Sequence, residues 1–551
     1  MKIDVKTHGQ YQSLLKGMRL ARAPWEVMWR ELSDYFLPRR YMWLMTQKEQ
    51  RSASVRNVNL LDSTSILALR TLSTGMMNGI TSPARPWFRL TRPDLPDDDQ
   101  MAYDEKVWLE AAGKKMLYLM AQSNFYNAMG ILYLEWPVFG TAAMSIYEDP
   151  ELVFRCHNFA VGEFYIACDG NGNVIHLGRE FQMTSEALVK EYGEENVTEN
   201  IRADVREGGA RLLNVHPVYH LCTANSGQVR KSARFIDIYW LATETGSVLR
   251  QTPLDEWPNI NPRWEVYADD NYGSSPCMDA IADVKQLQHM IKRRAQGLDK
   301  MVNPPMLYNQ MLANRPRSTL PGGETFFPGS ELDQGGRPVY QINIPFQELN
   351  ADIAATKAAI KEVLFNPLFT MISDLGTVRS ATEIDARREE KLVLLGPVRD
   401  RFENEALTPA IQRIFSICRR RGLFGPEPPS MQGVELQVRY TSLLSDAQRA
   451  VGTVVIERYL QLLGNMAPIF QEDTLAVPNP EEIIREYAES IGLPTKLQKS
   501  RGEVQAMRDA NAQKQSVMEA AQGAQALVGG AQQLSQTDVG GGTNALQALL
   551  G

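Results

Sequence analysis

One stretch of the chain, SATEIDARREEKLVLLGPVRDRFENEALTPAIQRIFSICRRR (residues 380–421), predicts a single long helix. It opens with a capping box, in which Ser380 accepts a hydrogen bond from a first-turn N–H while Glu383 reaches back. Apolar residues recur at helical spacing: Leu395, Val398, Phe402, Leu407, Ile411, Ile414, Phe415 and Cys418. Arg419–Arg421 complement the negative end of the helix dipole, and Gly422 supplies the stop.

Two proline dipeptides lie inside this predicted helix. Gly396-Pro397 and Thr408-Pro409 interrupt the backbone hydrogen bonding, so we predict one helix kinked at two places rather than three separate helices. At 1.5 Å per residue the helix is roughly 60 Å long. Because this exceeds the width of an ordinary domain, the helix should run through several layers of the molecule.

Two shorter helices and a compact insert are predicted directly upstream. Ser275-Pro276 is typical of an N-cap followed by the first helical residue, and Asn303-Pro304-Pro305 ends that helix. A second helix should begin near Asn350 and stop at Asn366-Pro367. Residues 303–347 between them hold seven prolines and five glycines, which predicts a small strand-and-turn module.

This order of helix, small module, helix, loop and long helix resembles the portal (head-to-tail connecting) proteins of tailed bacteriophages, specifically the short-tailed-phage type. Local motifs similar to the family's N-terminal and long-helix signatures are Asp62-Ser-Thr64, Thr74-Gly-Met-Met-Asn-Gly-Ile-Thr-Ser-Pro83, Arg85-Pro-Trp-Phe88, Ser380-Ala-Thr-Glu-Ile384 and Leu395-Gly-Pro-Val398. The resemblance runs from about Trp25 to about Gly425.

The resemblance implies an α+β, mainly α fold with wing, stem, clip and crown, the long kinked helix as spine, assembled as a ring. It divides the chain into residues 1–270 as the wing (a helical N-terminal part, then a strand-rich part), 275–302 and 348–366 as stem helices, 303–347 as the clip, 367–379 as the tunnel loop, 380–425 as the long kinked wing helix, and 426–551 as the crown or barrel with the C-terminal tail.

The implied function is a ring-shaped DNA channel at one capsid vertex, used for genome packaging, head–tail joining and DNA ejection, without enzymatic activity or cofactor. Rings of this family usually contain twelve subunits. The implied partners are a terminase motor, tail adaptor and tail proteins, major capsid and scaffolding proteins, and double-stranded DNA that passes non-specifically. The implied location is the capsid portal vertex of the virion, after assembly in the host cytoplasm.

The segment Asn366–Arg379 is too apolar for an ordinary connector, and only Asp374 and Arg379 in it are charged. In a ring, such loops would form a nearly neutral collar that touches DNA without gripping it. The expected channel residues are Leu368, Met371, Ser373, Asp374, Leu375, Thr377 and Arg379. Alternatively, the apolar residues pack against the neighbouring subunit. Both hold if the loop base packs and its tip, near Ser373–Thr377, faces the channel.

Two further groups of site residues follow from the implied architecture. Docking residues for terminase and adaptor in the clip are Arg315, Arg317, Phe326, Phe327 and Arg337. Stem residues are Asp283, Lys292 and Arg293.

Composition and charge fit this interpretation. The 551 residues carry a net charge of −7, whereas a nucleic-acid-coating protein is usually basic. A channel wall must not bind phosphate strongly, since tight Lys/Arg pairing would stall passage. Five scattered cysteines without a CxxC motif predict reduced thiols and a cytosolic assembly site. The sequence has neither an apolar signal core nor a run of 18 apolar residues, so no membrane span is expected.

Catalytic and metal motifs are weak or absent. The chain has no GxxxxGK[ST], HExxH or GxSxG motif. The turn Asp169–Asn173 tempts a calcium interpretation, but Val174 stands where an EF-hand needs glycine. His216, His220 and Cys222 lack a second ligand pair, so a structural role is favoured. The alternatives kept open are a non-viral oligomeric scaffold and a metal-dependent nuclease with a dispersed site.

Coarse secondary structure can be assigned elsewhere from the pattern of apolar residues. We predict two helices over 10–37 broken by Pro24 with a core aromatic stripe, a helix over 60–80, a strand over 85–90, helix over 101–148, strands from 153 to about 267 (among them 234–242 and 264–268), a strand over 434–440, and helices over 445–464 and 480–491.

Overall fold

A computed structural model describes residues 5–38, 60–93, 102–225, 232–242, 248–268, 270–302, 304, 306–307, 337–338, 345–370, 395–431, 436–440, 458–462, 480–490, 502–511, 513–514, 516–518 and 525. The chain divides into two compact units. The first unit comprises Met1–Leu90, Ala112–Pro426 and Leu436–Gln448. The second comprises Thr91–Ala111, Glu427–Glu435 and Arg449–Gly551.

Helices make up most of the regular structure that is described. They are α1 (Val5–Phe36), α2 (Thr64–Ile80), α3 (Tyr103–Gln122), α4 (Phe125–Phe139), α5 (Ser185–Tyr192), α6 (Glu199–Glu207), α7 (Pro276–Val302), α8 (Phe346–Val363), α9 (Asn366–Thr370), α10 (Gly396–Phe402), α11 (Thr408–Arg420) and α12 (Pro480–Ser490). A π-helical turn, Glu403–Leu407, joins α10 to α11.

The strands are β1 (Phe88–Thr91), β2 (Ala143–Asp149), β3 (Val153–Phe159), β4 (Phe164–Cys168), β5 (Val174–Thr184), β6 (Val215–Ala224), β7 (Phe235–Leu241), β8 (Val248–Leu254), β9 (Asn259–Ile260), β10 (Met306–Leu307), β11 (Arg337–Pro338) and β12 (Gln437–Tyr440). The largest sheet has the antiparallel order β4-β5-β6-β7-β8, and a second has the order β3-β2-β9. Two-stranded sheets pair β1 with β12 and β10 with β11. The predicted mainly helical α+β fold is thus confirmed at this level.

The five-stranded sheet is covered on both faces by helices. One face packs against α1 through Tyr11, Leu15 and Met18, with Trp240 and other strand residues beneath them. The opposite face packs against α5 and α6, and Tyr239 on the same strand points that way. Successive side chains of a strand point to opposite faces, so the neighbours Tyr239 and Trp240 serve two different cores.

The prediction of a helix break at Pro24 is wrong, because α1 continues through it. A proline inside a helix costs about 3 kcal/mol through the lost hydrogen bond and the steric clash. Contacts on both sides of Pro24 offset this cost. Arg22 Nη1 donates to the carbonyls of Gly162 and Phe164, both at 2.8 Å, and the fully buried Trp29 donates from Nε1 to Phe139. Burial of Trp29 and Phe36 confirms that the aromatic stripe is core.

Other boundaries also differ from the sequence predictions. Residues 143–148, predicted as helix, form most of β2, which is buried at its start and pairs with β3 on one side and β9 on the other. Residues 264–268, predicted as a strand, contribute only one isolated bridge, from Glu265 to Ser274. The predicted strands at β1, β7 and β12 and the helix at α12 are confirmed.

The hairpin predicted around residues 169–173 is confirmed, and its acidic residue has a structural use. One carboxylate oxygen of Asp169 accepts hydrogen bonds from the backbone N–H groups of Asn171 and Asn173 at 2.9 and 2.8 Å. These bonds shape the turn between β4 and β5. His216 and His220 lie on β6; the first contacts Ser185 and the buried second one contacts Asp237.

The second unit contains α12 and helical residues at 458–462 and 502–511. Its Glu105 is buried and forms a salt bridge with Arg92, with an N–O distance of 3.2 Å, and it also accepts a hydrogen bond from Ser430. The paired charge explains why a carboxylate is tolerated in the interior. In the part of the chain that the structure describes, no helix is both long and apolar enough to cross a membrane.

Candidate functional site: the paired helices and their anchor

The first long helix of the pair, α7, begins at a satisfied N-cap. Ser275 Oγ accepts a hydrogen bond from the N–H of Met278 at 3.1 Å and donates to the carbonyl of Val138 at 2.8 Å. Pro276 follows at the first helical position, where its missing N–H costs nothing. The predicted start is therefore confirmed, and so is the end, because α7 stops at Val302.

A close backbone approach fixes where α7 starts. Gly140 ends α4 with a positive φ of 71°, and its carbonyl accepts from the N–H of Trp264 at 2.8 Å. A Cβ at Gly140 would lie 2.0 Å from the carbonyl oxygen of Gly273. Only glycine fits there, so the end of α4 and the entry to α7 are held in contact.

The second helix, α8, runs antiparallel to α7. Arg294 Nη1 on α7 donates to Asn350 Oδ1 on α8 at 3.1 Å, and Thr356 Oγ1 lies 3.8 Å from Met290 Sδ. The helix starts at Phe346, earlier than the predicted Asn350. Between the two helices, Met306 pairs with Pro338 and Leu307 with Arg337, so the intervening segment leaves and returns at one end of the pair.

The segment before α2 binds both helices at once. Gln288 Oε1 on α7 accepts from the N–H groups of Leu61 and Asp62 at 2.7 and 2.9 Å, and its Nε2 donates back to the carbonyl of Asp62. Lys357 on α8 donates to Asp62 Oδ2 at 2.5 Å. Burial opposes ionisation of Asp62, but hydrogen bonds from Lys357 and Thr64 outweigh it, and the pKa of Asp62 lies below its ordinary value.

The short helix α9 corrects the prediction that a loop starts at Asn366. Leu368 is 6% exposed, so it packs inside its own chain. Phe369 lies against α2, where a Cβ at Gly75 would be 2.2 Å from its ring. The Asn366 side-chain amide is oriented with its nitrogen toward carbonyl oxygens, and it donates to the carbonyl of Ala68 at 2.8 Å. The base of the predicted loop therefore packs within its own chain, and packing against a neighbouring subunit stays a prediction.

The long helix is described from Leu395 onward, and its predicted apolar face is confirmed. Less than a tenth of each predicted side chain is exposed: Leu395, Val398, Phe402, Leu407, Ile411, Ile414, Phe415 and Cys418. Phe402 lies between two aromatic rings of α4, with centroids 4.9 Å from Tyr133 and 4.4 Å from Trp136. The helix therefore packs on the same α4 that holds the entry to α7.

The predicted helix stop is also confirmed. Gly422 has a φ of 62°, its N–H donates to the carbonyl of Arg419, and the N–H of Leu423 donates to that of Cys418. This pair of bonds is a Schellman motif. At Thr408-Pro409 the helix is continuous, and a π-turn, Glu403–Leu407, precedes the proline. Residues 380–394, with the predicted capping box, lie outside the described residues.

A buried ion pair holds the π-turn. Glu405 Oε2 accepts from the backbone N–H and Nε of Arg263 at 2.9 and 3.2 Å, and Oε1 accepts from Nη2 at 2.7 Å. The Arg263 side chain is only 6% exposed, and it also donates to the carbonyl of Gly172 at 2.6 Å. One guanidinium thus ties the long helix to the β4–β5 turn.

Comparison with known proteins decides the family. A family model described as bacteriophage head to tail connecting protein matches residues 8–498. The chain belongs to this family. The portal protein of Salmonella phage epsilon15 is 35% identical over 535 residues, which cover 95% of this chain and 94% of that protein. The probable portal protein of Bordetella phage BPP-1 is 35% identical over 487 residues, covering 87% and 86%.

A solved chain titled "Neck of empty GTA particle computed with C6 symmetry" is also similar, at 11% identity and a TM-score of 0.34, covering 78% of this chain and 91% of that chain. The relatives and the family model confirm the prediction of a portal, or head-to-tail connecting, protein of the short-tailed-phage type.

The structure places the predicted stem residues of this family member on α7. Lys292 and Arg293 are exposed, and Asp283 is half-buried. Of the predicted clip residues, Arg337 lies on β11, whereas Arg315, Arg317, Phe326 and Phe327 lie outside the described residues. The predicted tunnel residues from Met371 to Arg379 also lie outside them.

Sequence inspection missed the long-range polar contacts of this anchor. The contact between Arg263 and Glu405 joins residues 142 positions apart, and that between Lys357 and Asp62 joins residues 295 apart. No local sequence pattern predicts contacts over such separations. Another missed group joins Arg413 and Arg420 on α11 to Glu256. Among the residues that the structure describes, no group of three or more His, Cys, Asp or Glu side chains could hold a metal ion.

Proposed function

We propose that this head-to-tail connecting protein works as a closed ring whose axis is a passage for double-stranded DNA at one vertex of a phage capsid. Copies related by rotation meet through heterologous contacts, and such contacts close into a ring when the rotation closes. The observation that carries the proposal is the antiparallel α7–α8 pair, which is anchored at one end and carries residues 303–345 at the other.

This arrangement suits a rigid channel wall. The helix α7 has 27 residues, hence a length of about 40 Å at 1.5 Å per residue. Its entry is fixed by Ser275 and the Gly140–Gly273 approach, and Gln288 ties its middle to the segment before α2. Because both helices share one anchor, the pair can act as a unit that transmits load between its two ends.

Each segment of the chain is assigned the role that the predicted architecture gives it. Residues 275–302 and 348–366 form the stem, 303–347 the clip that contacts first a terminase motor and then a tail adaptor, and 367–379 the tunnel loop. Burial of Leu368 and the seating of Phe369 support a refinement, in which α9 is the packed base and Ser373–Thr377 is the tip toward DNA. Residues 1–270 with 380–425 form the wing, and 426–551 the crown.

The protein is proposed to be passive toward DNA, with no catalytic residue or cofactor. The net charge of −7 means that a ring of such chains does not attract phosphate as a whole. The expected ring contains twelve copies, placed between the capsid and the tail proteins in the virion.

Two measurements on the full chain test this function. Native mass spectrometry and axial-view electron microscopy should show closed rings with an opening wide enough for B-form DNA, whose major groove alone is about 12 Å wide. Monomers or dimers under all assembly conditions would contradict the ring.

Deletion of residues 373–377 tests the passage itself. We expect rings to assemble normally, while packaged DNA slips back out of the particle. Deletion of 310–335 serves as the comparison, since it should leave rings intact and abolish terminase or adaptor binding. Normal DNA retention after the first deletion, or unchanged binding after the second, would contradict the assigned parts.

A further inference from the structure

The α7–α8 pair presents two outward faces of opposite charge. On α7, Lys292, Arg293 and Lys300 are exposed and lie within about 100° of helix circumference at 100° per residue. On α8, Glu348, Asp352 and Glu362 are exposed and lie within about 80°. We call these the basic face of α7 and the acidic face of α8.

Each face points away from the partner helix of the same chain. On α7, Met290 and Arg294 make the contacts to α8, and the basic face begins beyond them. On α8, the buried Ile353 and Ile360 lie opposite the acidic face. Each helix also exposes one residue of the opposite charge, Asp299 on α7 and Lys361 on α8. The net charge of the basic face stays positive and that of the acidic face stays negative.

The two faces also match in height along the pair. Arg294 contacts Asn350 and Thr356 approaches Met290, so Arg293 and Asp352 lie within about one residue, or roughly 1.5 Å, of the same level. Lys300 lies roughly one turn from the level of Glu348, within reach of a long side chain. Rotation about a common axis keeps every copy at one height when the pair stands along that axis.

From this charge match we infer that the basic face of α7 in one copy binds the acidic face of α8 in the next copy. This inference rests on the proposed ring and names the contact that closes it. Between the charges on α8, the exposed positions Ala351, Ala355, Ala358 and Ala359 add little bulk, so the neighbouring helix can approach closely. The contact is heterologous, because each copy uses two different surfaces.

Charge reversal in two complementary variants tests this pairing. R293E/K300E makes the basic face acidic, and E348K/D352K makes the acidic face basic. Each variant alone places like charges across every contact, so we expect its ring yield at low salt to fall about tenfold or more. An equimolar mixture should recover rings that contain equal numbers of both variants, since alternating copies restore opposite charges at each contact.

The matched control for R293E/K300E is K190E/R206E, which reverses two exposed bases on α5 and α6 and lowers the net charge by the same amount. It should assemble as the parent chain does. Native mass spectrometry of isotope-labelled chains gives ring yield and composition, and circular dichroism with thermal melting shows that every variant is folded.

The outcomes separate the pairing from the ring itself. Mixed rings formed from two variants that fail alone would establish the contact. If both reversed variants form rings by themselves as well as the control does, the ring stands and the pairing is wrong. Folded variants that fail alone and also fail together would equally overturn the pairing. A parent chain that never forms rings would overturn both proposals.

Discussion

Replacing Arg263 by methionine isolates the buried ion pair that holds the π-turn. Methionine keeps an unbranched, flexible side chain, but it is shorter than arginine and lacks the charge and the donors. Glu405 then keeps a charge that is 21% exposed but loses the two hydrogen bonds from the Arg263 guanidinium. The backbone N–H of residue 263 remains, so the loss falls on the two guanidinium bonds and on the attraction between the charges.

The size of the effect follows from this geometry. Removing one partner of a buried ion pair costs about 3–5 kcal/mol. Because Glu405 keeps some contact with solvent, we expect the lower value, about 3 kcal/mol. Each 1.4 kcal/mol changes an equilibrium about tenfold, so the amides of residues 403–407 should exchange with solvent about 100-fold faster.

Hydrogen–deuterium exchange of the full chain, read on peptides that cover residues 399–410, measures this directly. The control is R155M, which removes the same side chain from a pair with Asp149 in which Arg155 is 56% exposed. An exposed pair contributes at most about 1 kcal/mol, so exchange at 403–407 should not change there. Adding E405Q to R263M should recover part of the loss. If R263M leaves exchange at 403–407 as slow as R155M does, the ion pair does not hold the π-turn.

Four further perturbations test the anchor and the long helix. Ser275→Ala should destabilise the chain by about 1–2 kcal/mol, because α7 loses its cap, and a thermal melt against Ser274→Ala checks this. Gly422→Ala should cost about 1–2 kcal/mol, because alanine resists the positive φ; denaturant unfolding against Gly425→Ala measures it. Gly75→Val should displace Phe369 and raise proteolysis after residue 370, whereas Gly113→Val should not. Burial raises the pKa of Glu403 from its ordinary value of 4.5 to about 7. The stability that protonated Glu403 contributes is therefore full below pH 4.5 and is lost as the pH rises through 7. Glu403→Gln should flatten this decline when the denaturant midpoint is measured against pH.

Local signals in the sequence predicted the parts of the fold that local chemistry controls. Ser275-Pro276 fixed the start of α7, and Gly422 fixed the end of α11, since caps depend on a few adjacent residues. The apolar face of the long helix followed from periodicity alone, because a helix at a protein surface must bury one side.

Tertiary contacts decided where the sequence predictions were wrong. Pro24 is tolerated in α1 because Arg22 and Trp29 bind carbonyls of distant segments. Residues 143–148 are largely buried, and a short apolar run of this kind has no period that separates strand from helix. The π-turn at Glu403–Leu407 has no local signature, since its stabilising partner is Arg263.

The contacts of Asp62 and Gly75 explain what two of the N-terminal motifs do in the fold. Asp62 is bound by both long helices, and Gly75 leaves the space that Phe369 fills. One segment therefore contacts α7, α8 and the base from which the predicted tunnel loop leaves. A displacement applied at the far end of the helix pair must move this anchor or break its hydrogen bonds. Since the anchor also seats α9, the same displacement would reach the loop that we propose to face DNA, which is the coupling that a packaging channel needs between its docking end and its passage.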